Sequence, residues 1–439
     1  VAAHGGLLLV FDLAHHPVLT LGLLASAFVG LAFAARRLEK AAHPGATILW
    51  GALLLRLLLL PLPVTLSDDV LRYLWDGKVA RAGFNPYALA PEAPELAPLR
   101  DETWRRLPHQ EVPTVYPPLA ITAFSIATLL PLPLLGWKML ATAADLAACA
   151  ALLGLARRRG LPPGRAAWYA WNPLVVLEVA GMGHVDALGV AAVAGAVFFL
   201  TRRPEDGRSA PTLGALCAAA GVLAKLAPLA LLPLWSRRSG RPLWFAGAAL
   251  GLVAAACLPV VAATGGVPPG LIRYGLSWEF NGPLYEPLWR LLDVAGAAPF
   301  LHRVLGRIEA ATGIWYGLDF LYPYLHPRLL AKVILGLGML AAVAASTRET
   351  DLVTGTGRLL GRLLLLSATV YPWYLLWVLP WAALERRVPW LLLSVLLPLC
   401  YLPPMAGFPW MPGVFLLVWM PFWAALAWSR RGGARPEPE

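Results

Sequence analysis

The chain has 439 residues, 59% of them hydrophobic and only 14% charged, with a mean hydropathy of +0.64. Soluble domains carry about 25% charged and about 45–50% apolar residues, and here no stretch outside the apolar blocks is left to form a separate soluble domain. The net charge of +11 does not indicate nucleic-acid binding, because the basic residues are parcelled out over short loops between apolar runs.

The first apolar run, 17–35, is read as a span rather than a leader. No basic region precedes it, and Arg36, Arg37 and Lys40 follow it, as at the cytoplasmic end of a crossing. A second run, 46–66, leads into the longest polar stretch of the chain, 67–118, which carries Asp68, Asp69, Asp76, Glu92, Glu95, Asp101, Glu102 and Glu111. Its Leu71–Ala82 portion has amphipathic helical character and predicts a helix lying on the membrane surface. The run 119–135 admits two readings, a re-entrant piece or a full crossing. Further runs at 137–156, 166–182, 185–200, 211–236, 242–263, 327–347, 352–370, 373–384, 388–404 and 411–428 bring the expected number of spans to about 11–13. The whole chain, 1–439, reads as one all-α polytopic membrane domain. Cys149, Cys217, Cys257 and Cys400 sit singly inside apolar runs, without metal-ligand spacing.

The loops rich in basic residues are Arg36/Arg37/Lys40, Arg157–Arg159 with Arg165, Arg202/Arg203/Arg208, Arg237/Arg238/Arg241, Arg386/Arg387 and Arg430/Arg431. By the positive-inside rule they are cytoplasmic. The segments 67–118 and 264–326 then fall on the opposite side. The run 211–236 is the exception within this pattern. A straight span would bury Lys225 in hydrocarbon, at a cost of ~2.5–3.5 kcal/mol, and would put Arg237 and Arg238 on the wrong side. Two half-helices, 211–223 and 226–236, remove both conflicts.

Five constellations carry candidate chemistry. Ser67–Asp68–Asp69–Val70–Leu71–Arg72–Tyr73 places two carboxylates at the hydrocarbon edge. They read either as a solvated helix start or as a general base at the membrane surface. Gly83–Phe84–Asn85–Pro86–Tyr87 reads as a turn, and the tandem proline of Tyr116–Pro117–Pro118–Leu119 forces an extended entry into the next membrane segment; by themselves both read equally as loop punctuation. Asn172–Pro173, followed by Glu178 and by Gly183–His184–Val185–Asp186, is either a capped helix start or the lining of a polar pocket. Lys225 calls for an anionic partner. Tyr371–Pro372–Trp373–Tyr374 is an aromatic cluster that fits an interfacial belt or a sugar and polyprenyl site. No phosphate-binding loop, dinucleotide fingerprint or metal-ligand spacing is present, so no metal and no cofactor is expected.

In this order, the motifs resemble the multi-spanning glycosyltransferases of the GT-C class, in particular family 87 and the polyprenyl-phosphate-mannose-dependent mannosyltransferases. The carrying residues are Asp69 four before Tyr73, Gly83-x-Asn85–Pro86–Tyr87, Tyr116–Pro117–Pro118–Leu119, Asn172–Pro173, Gly183–His184-x-Asp186, Lys225 with its following prolines, and Pro372–Trp373–Tyr374. The resemblance covers about residues 47–385. It implies a GT-C-like bundle with membrane-surface helices in the first outer loop. It also implies an enzyme of a bacterial cell membrane whose site is extracytoplasmic, moving a sugar, mannose first, from a polyprenyl-monophosphate to a glycolipid or glycan acceptor. Asp69 takes the role of base and Asp68 that of support, ion-paired to Arg72. Lys225 and Arg273 hold the donor phosphate. Arg72, Tyr73, Tyr116, His184, Asp186, Asn281, Trp373 and Tyr374 line the substrate pocket. One base and one displacement imply inversion. A lipid or sugar-lipid transporter, and an O-antigen ligase or polymerase using a diphosphate donor, remain as rival readings.

Overall fold

Proline marks the helix starts. Pro17–Glu39, Pro118–Ala127, Pro133–Arg158, Pro211–Ala224, Pro242–Thr264 and Pro327–Ser346 all begin on a proline, whose fixed φ suits the first turn and whose missing N–H would have no partner there. The computed structural model describes residues 1–201, 210–313, 319–407 and 409–432. Arg202, Arg203, Arg208 and Trp315 lie outside the described residues. Among the described residues the architecture is all-helical, relieved only by isolated bridges from Phe280 and Asn281 to Thr369. Among the described residues, six helices are long and apolar enough to cross a bilayer: Pro17–Glu39, Pro133–Arg158, Pro242–Thr264, Pro327–Ser346, Val388–Ala406 and Trp410–Arg431. Gly45–Leu59, Pro118–Ala127, Asp186–Leu200 and Pro211–Ala224 are shorter apolar helices. The chain is an all-α polytopic membrane protein.

The run 166–182, one of the shorter or broken apolar runs of the sequence, is a string of fragments. It consists of Pro163–Ala166, Ala167–Ala170 and Pro173–Val176, then a wide π-turn at Leu177–Gly181. The break follows from Asn172–Pro173. Proline disfavours helical geometry in the residue before it, and the Asn172 side chain caps the new start by accepting from the Leu174 N–H at 3.1 Å. Pro118–Ala127 has 10 residues, about 15 Å of helix against about 30 Å of hydrocarbon. That length agrees with the re-entrant reading of 119–135.

Asp69–Arg81 packs across Pro118–Ala127, and Gly77 permits the approach. A Cβ there would lie 2.5 Å from the carbonyl carbon of Phe124, a backbone atom that cannot turn aside. Gly77→Ala should therefore force the two helices apart and cost ~1–3 kcal/mol, read as a lower midpoint of thermal unfolding in detergent. Rather than lying open on a surface, Asp69–Arg81 buries Val70, Leu71, Arg72, Tyr73, Trp75, Asp76, Gly77 and Val79. Deeper in the bundle, Arg56 donates to Asp145 at 2.6 Å and to the Ala170 carbonyl at 2.7 Å, with both charged side chains fully enclosed.

Four of the basic loops, those around residues 36–40, 157–165, 237–241 and 386–387, are tied together at one end of the bundle. Trp168 donates to Glu39 at 2.7 Å, Arg386 pairs with Glu39 at 3.5 Å, and Arg165 donates to the Leu384 carbonyl at 2.9 Å. Arg159 pairs with Asp351, and Arg238 donates to the Glu349 carbonyl at 2.8 Å. Near the other end of Pro133–Arg158, Trp137 donates to the Gly183 carbonyl and Lys138 to those of Leu60 and Leu62, at 2.6–2.7 Å. Lys138 and Arg158 lie on one helix, ~30 Å apart at ~1.5 Å per residue. The Gly183 turn and the basic network are thus separated by about the thickness of a hydrocarbon core.

Candidate functional site

Next to the Gly183 turn, three acidic groups, a histidine and a lysine converge. The helix Asp69–Arg81 starts as the chain leaves the apolar run, and Ser67 Oγ accepts from the Asp69 N–H at 3.3 Å. Consecutive residues on a helix diverge by about 100°, so Asp68 is exposed while Asp69 turns toward His184. Asp69 Oδ2 lies 3.8 Å from His184 Nδ1, with 37% of its side chain still open to solvent. Desolvation by the surrounding protein raises the Asp69 carboxyl above the ordinary carboxylate range. His184 and Lys225 pull it down, and Asp186 and Asp68 push it further up.

The expected Asp68–Arg72 ion pair is not formed. Arg72 instead binds Asp76 at 2.8 Å and the Val112 carbonyl at 2.6 Å. Asp76 lies one turn further on and is buried, as Arg72 is, so the guanidinium turns inward and ties the helix to the returning loop. Tyr73 is buried in an aromatic cluster, edge-on to Tyr116 at 5.1 Å and stacked on Phe124 at 4.7 Å.

Lys225 sits at the expected helix break. Pro211–Ala224 ends there, Lys225 is extended (φ −160°, ψ 139°), and the chain resumes as Ala227–Leu231 and Leu232–Arg238. Its ammonium donates to both oxygens of Asp186, at 2.7 and 2.8 Å. Trp377 Nε1 donates to the same carboxylate at 2.5 Å. The ammonium also lies 4.5 Å from the centre of the Tyr374 ring, whose hydroxyl meets that of Tyr274 at 2.5 Å. An ammonium has three donors. Asp186 occupies two of them, and a quarter of the Lys225 side chain remains exposed.

His184 is enclosed. Its ring stacks on Trp373 at 3.8 Å, and its Nε2 lies 3.2 Å from Glu178 Oε2, off the line of a well-formed hydrogen bond. The other Glu178 oxygen accepts from the Tyr401 hydroxyl at 2.8 Å. The stack continues from Trp373 to Tyr371 at 4.6 Å, to Phe280 at 4.6 Å and to Trp410 at 4.8 Å.

Of the residues singled out from sequence, Asp69, His184, Asp186, Lys225, Trp373 and Tyr374 come together, with Tyr73 and Tyr116 behind Asp69. Asn281 stands apart. It is buried, its side-chain oxygen accepts from Trp419 at 2.5 Å, and its amide donates to Cys400 Sγ at 3.2 Å and the Val370 carbonyl at 3.3 Å. These bonds make it a tie between segments rather than a pocket wall. Arg273 is about half exposed and pairs with Glu111 at 3.3 Å. Its neighbour Tyr274 is the residue that reaches the lysine's surroundings. Sequence reasoning named Glu178 beside the Gly183 turn without giving it a role, and did not single out Tyr274 or Tyr401. Glu178 alone had a signal, an isolated carboxylate inside an apolar run.

The family model described as "Alpha-(1->6)-mannopyranosyltransferase, N-terminal domain" (MptA_B family) matches residues 9–237. Neither the curated proteins nor the solved structures contain a match to this chain.

Proposed function

This chain belongs to the alpha-(1->6)-mannopyranosyltransferase family, and we propose that it transfers mannose from a polyprenyl-monophosphate donor to a glycolipid or glycan acceptor on the extracytoplasmic face. The observation that carries the reading is the convergence of Asp69 with the Lys225–Asp186 pair, ~30 Å of helix away from the basic loops. Nucleotide sugars are made in the cytoplasm, so a site on the far side takes its sugar from a lipid carrier.

In the proposed reaction, Asp69 accepts the proton of the acceptor hydroxyl as that oxygen attacks the anomeric carbon. The bond from that carbon to the phosphate oxygen breaks, and its electron pair leaves with the polyprenyl phosphate. The donor is a phosphodiester with one negative charge and the leaving group is a monoester with a second. Charge therefore develops at the phosphate, where Lys225 stabilises it electrostatically. Tyr374, below the ammonium and only half-buried, supplies flat apolar surface for a sugar ring. A single displacement inverts the anomeric centre, so an α-linked product requires a β-configured donor. A diphosphate donor would call for more cationic side chains than Lys225 and Arg273, each of which already has a carboxylate partner. A transporter would not depend on one outer carboxylate.

The test uses purified protein in lipid nanodiscs with β-mannosyl polyprenyl phosphate, its α-anomer and a mannose nucleotide offered separately. Transfer from the β-anomer alone is expected, and transfer from the nucleotide would refute the donor. A single cysteine at the exposed Arg105, in a cysteine-free background, should react with an impermeant reagent on intact cells. Reaction only after lysis would reverse the sidedness.

A further inference from the structure

We propose that His184, held by Glu178, relieves Asp69 of the proton taken from the acceptor, so that the base is a line of three side chains rather than one carboxylate. This rests on Asp69 being the base, as read above.

The line is built into the fold. His184 lies between two carboxylates, with Nδ1 3.8 Å from Asp69 Oδ2 and Nε2 3.2 Å from Glu178 Oε2. It is 1% exposed and Glu178 is fully buried, yet neither ring nitrogen, nor the Glu178 oxygen facing the ring, has a well-aligned hydrogen bond. Buried polar atoms are normally satisfied. A fixed imidazole with both nitrogens loosely engaged is suited to changing its proton count.

What is fixed is the ring itself. It stacks on Trp373 with 14° between the planes. The His184 N–H donates to the Glu178 carbonyl at 2.9 Å. The turn before it relies on Gly183 at φ +78°, where a Cβ would lie 3.2 Å from Lys138 and 3.3 Å from Trp137. Glu178 comes from the π-turn Leu177–Gly181, a distortion found often at functional sites, and is anchored by Tyr401 at 2.8 Å.

The proton balance closes on these groups. The acceptor O–H breaks as its oxygen bonds to the anomeric carbon, and the electron pair of the broken bond leaves on the phosphate. The proton goes to Asp69, then to His184 Nδ1, leaving an imidazolium between two carboxylates. Less than 1 Å of movement by the Asp69 side chain brings 3.8 Å to hydrogen-bonding distance. Once product has left, the proton returns to water through the solvent-open side of Asp69. The charged groups facing Asp69 are His184, Lys225, Asp186 and Asp68. Those flanking His184 are Asp69 and Glu178, with Lys138 behind the Gly183 turn.

The experiment compares His184→Gln and Glu178→Gln in nanodiscs, measuring kcat and donor KM across pH. His184→Gln is expected to lower kcat ~10²-fold with donor KM unchanged. The acid limb should change position, because Asp69 then holds the proton alone instead of passing it to His184. Glu178→Gln keeps its shape and its Tyr401 contact, and should move both kcat and the limb in the same sense by less. Added imidazole should restore part of the rate of His184→Ala. If both glutamine variants fold, keep kcat within threefold and leave the acid limb in place while Asp69→Asn is inactive, the line is refuted and the single base survives. If Asp69→Asn itself turns over normally, both readings fall.

Discussion

Asp69→Asn should leave the protein folded and slow mannosyl transfer by ~10²–10⁴-fold, the usual range for losing a general base. The substitution keeps the side-chain shape at the head of the Asp69 helix and removes only the proton-accepting charge. Burial argues that folding will not suffer. The Asp69 carboxyl lies above the ordinary carboxylate range because the surrounding protein disfavours its ionised form, so an uncharged amide relieves a cost. The same shift predicts the acid side of the wild-type pH profile. The base works only when ionised, so activity is lost as pH falls through this raised value, at a higher pH than a solvated aspartate would set. Asp68→Asn serves as the internal control, because Asp68 is exposed and makes no ion pair with Arg72. A small loss there beside a large one at Asp69 is the expected result, measured as initial rates from β-mannosyl polyprenyl phosphate. Near-normal turnover by Asp69→Asn beside an inactive Asp68→Asn would reverse the assignment.

Lys225→Met should remove both stability and transfer, and the two losses can be separated. Asp186 is fully buried and receives two bonds from Lys225 and one from Trp377. Taking one partner from a buried pair leaves an uncompensated charge, at a cost of ~3–5 kcal/mol. Transfer should fall a further ~10²–10³-fold through lost stabilisation of the departing phosphate. The double variant Lys225→Met with Asp186→Asn removes the stranded charge. It should regain most of the thermal midpoint in detergent and none of the activity. A double variant with restored turnover would mean that Lys225 serves the fold alone.

The parts of this protein visible in its sequence are those where one residue type forces a local outcome. Lys225 in an apolar run required a break, and the helix ends at Ala224. Asp69 four residues before Tyr73 set both on one side of a helix, and they do share the same end of the bundle. The fragmentation of 166–182 was harder to see. Its apolar content matches a span, and only Asn172–Pro173 marked the interruption, with no sequence signature for the π-turn that follows. The pairing of Arg72 with Asp76 instead of Asp68 turned on which carboxylate the tertiary fold buries, since both lie four residues from the arginine. Tyr401 and Tyr274 belong to the site through contacts across 223 and 100 positions of chain, which no local pattern encodes.

The ring stack from His184 to Trp410 bears on how such a protein can change over evolutionary time. The family match ends at residue 237, yet Trp373 lies against His184, Trp377 binds Asp186 and Tyr401 binds Glu178. A descendant could replace most of its second half, retaining only apolar helices of suitable length, as long as these few aromatic side chains returned to their places. Divergence in that half should then be uneven, with wide drift on lipid-facing positions and near-immobility at three or four rings. The segment that the family model matches is therefore shorter than the segment on which the geometry of the site depends.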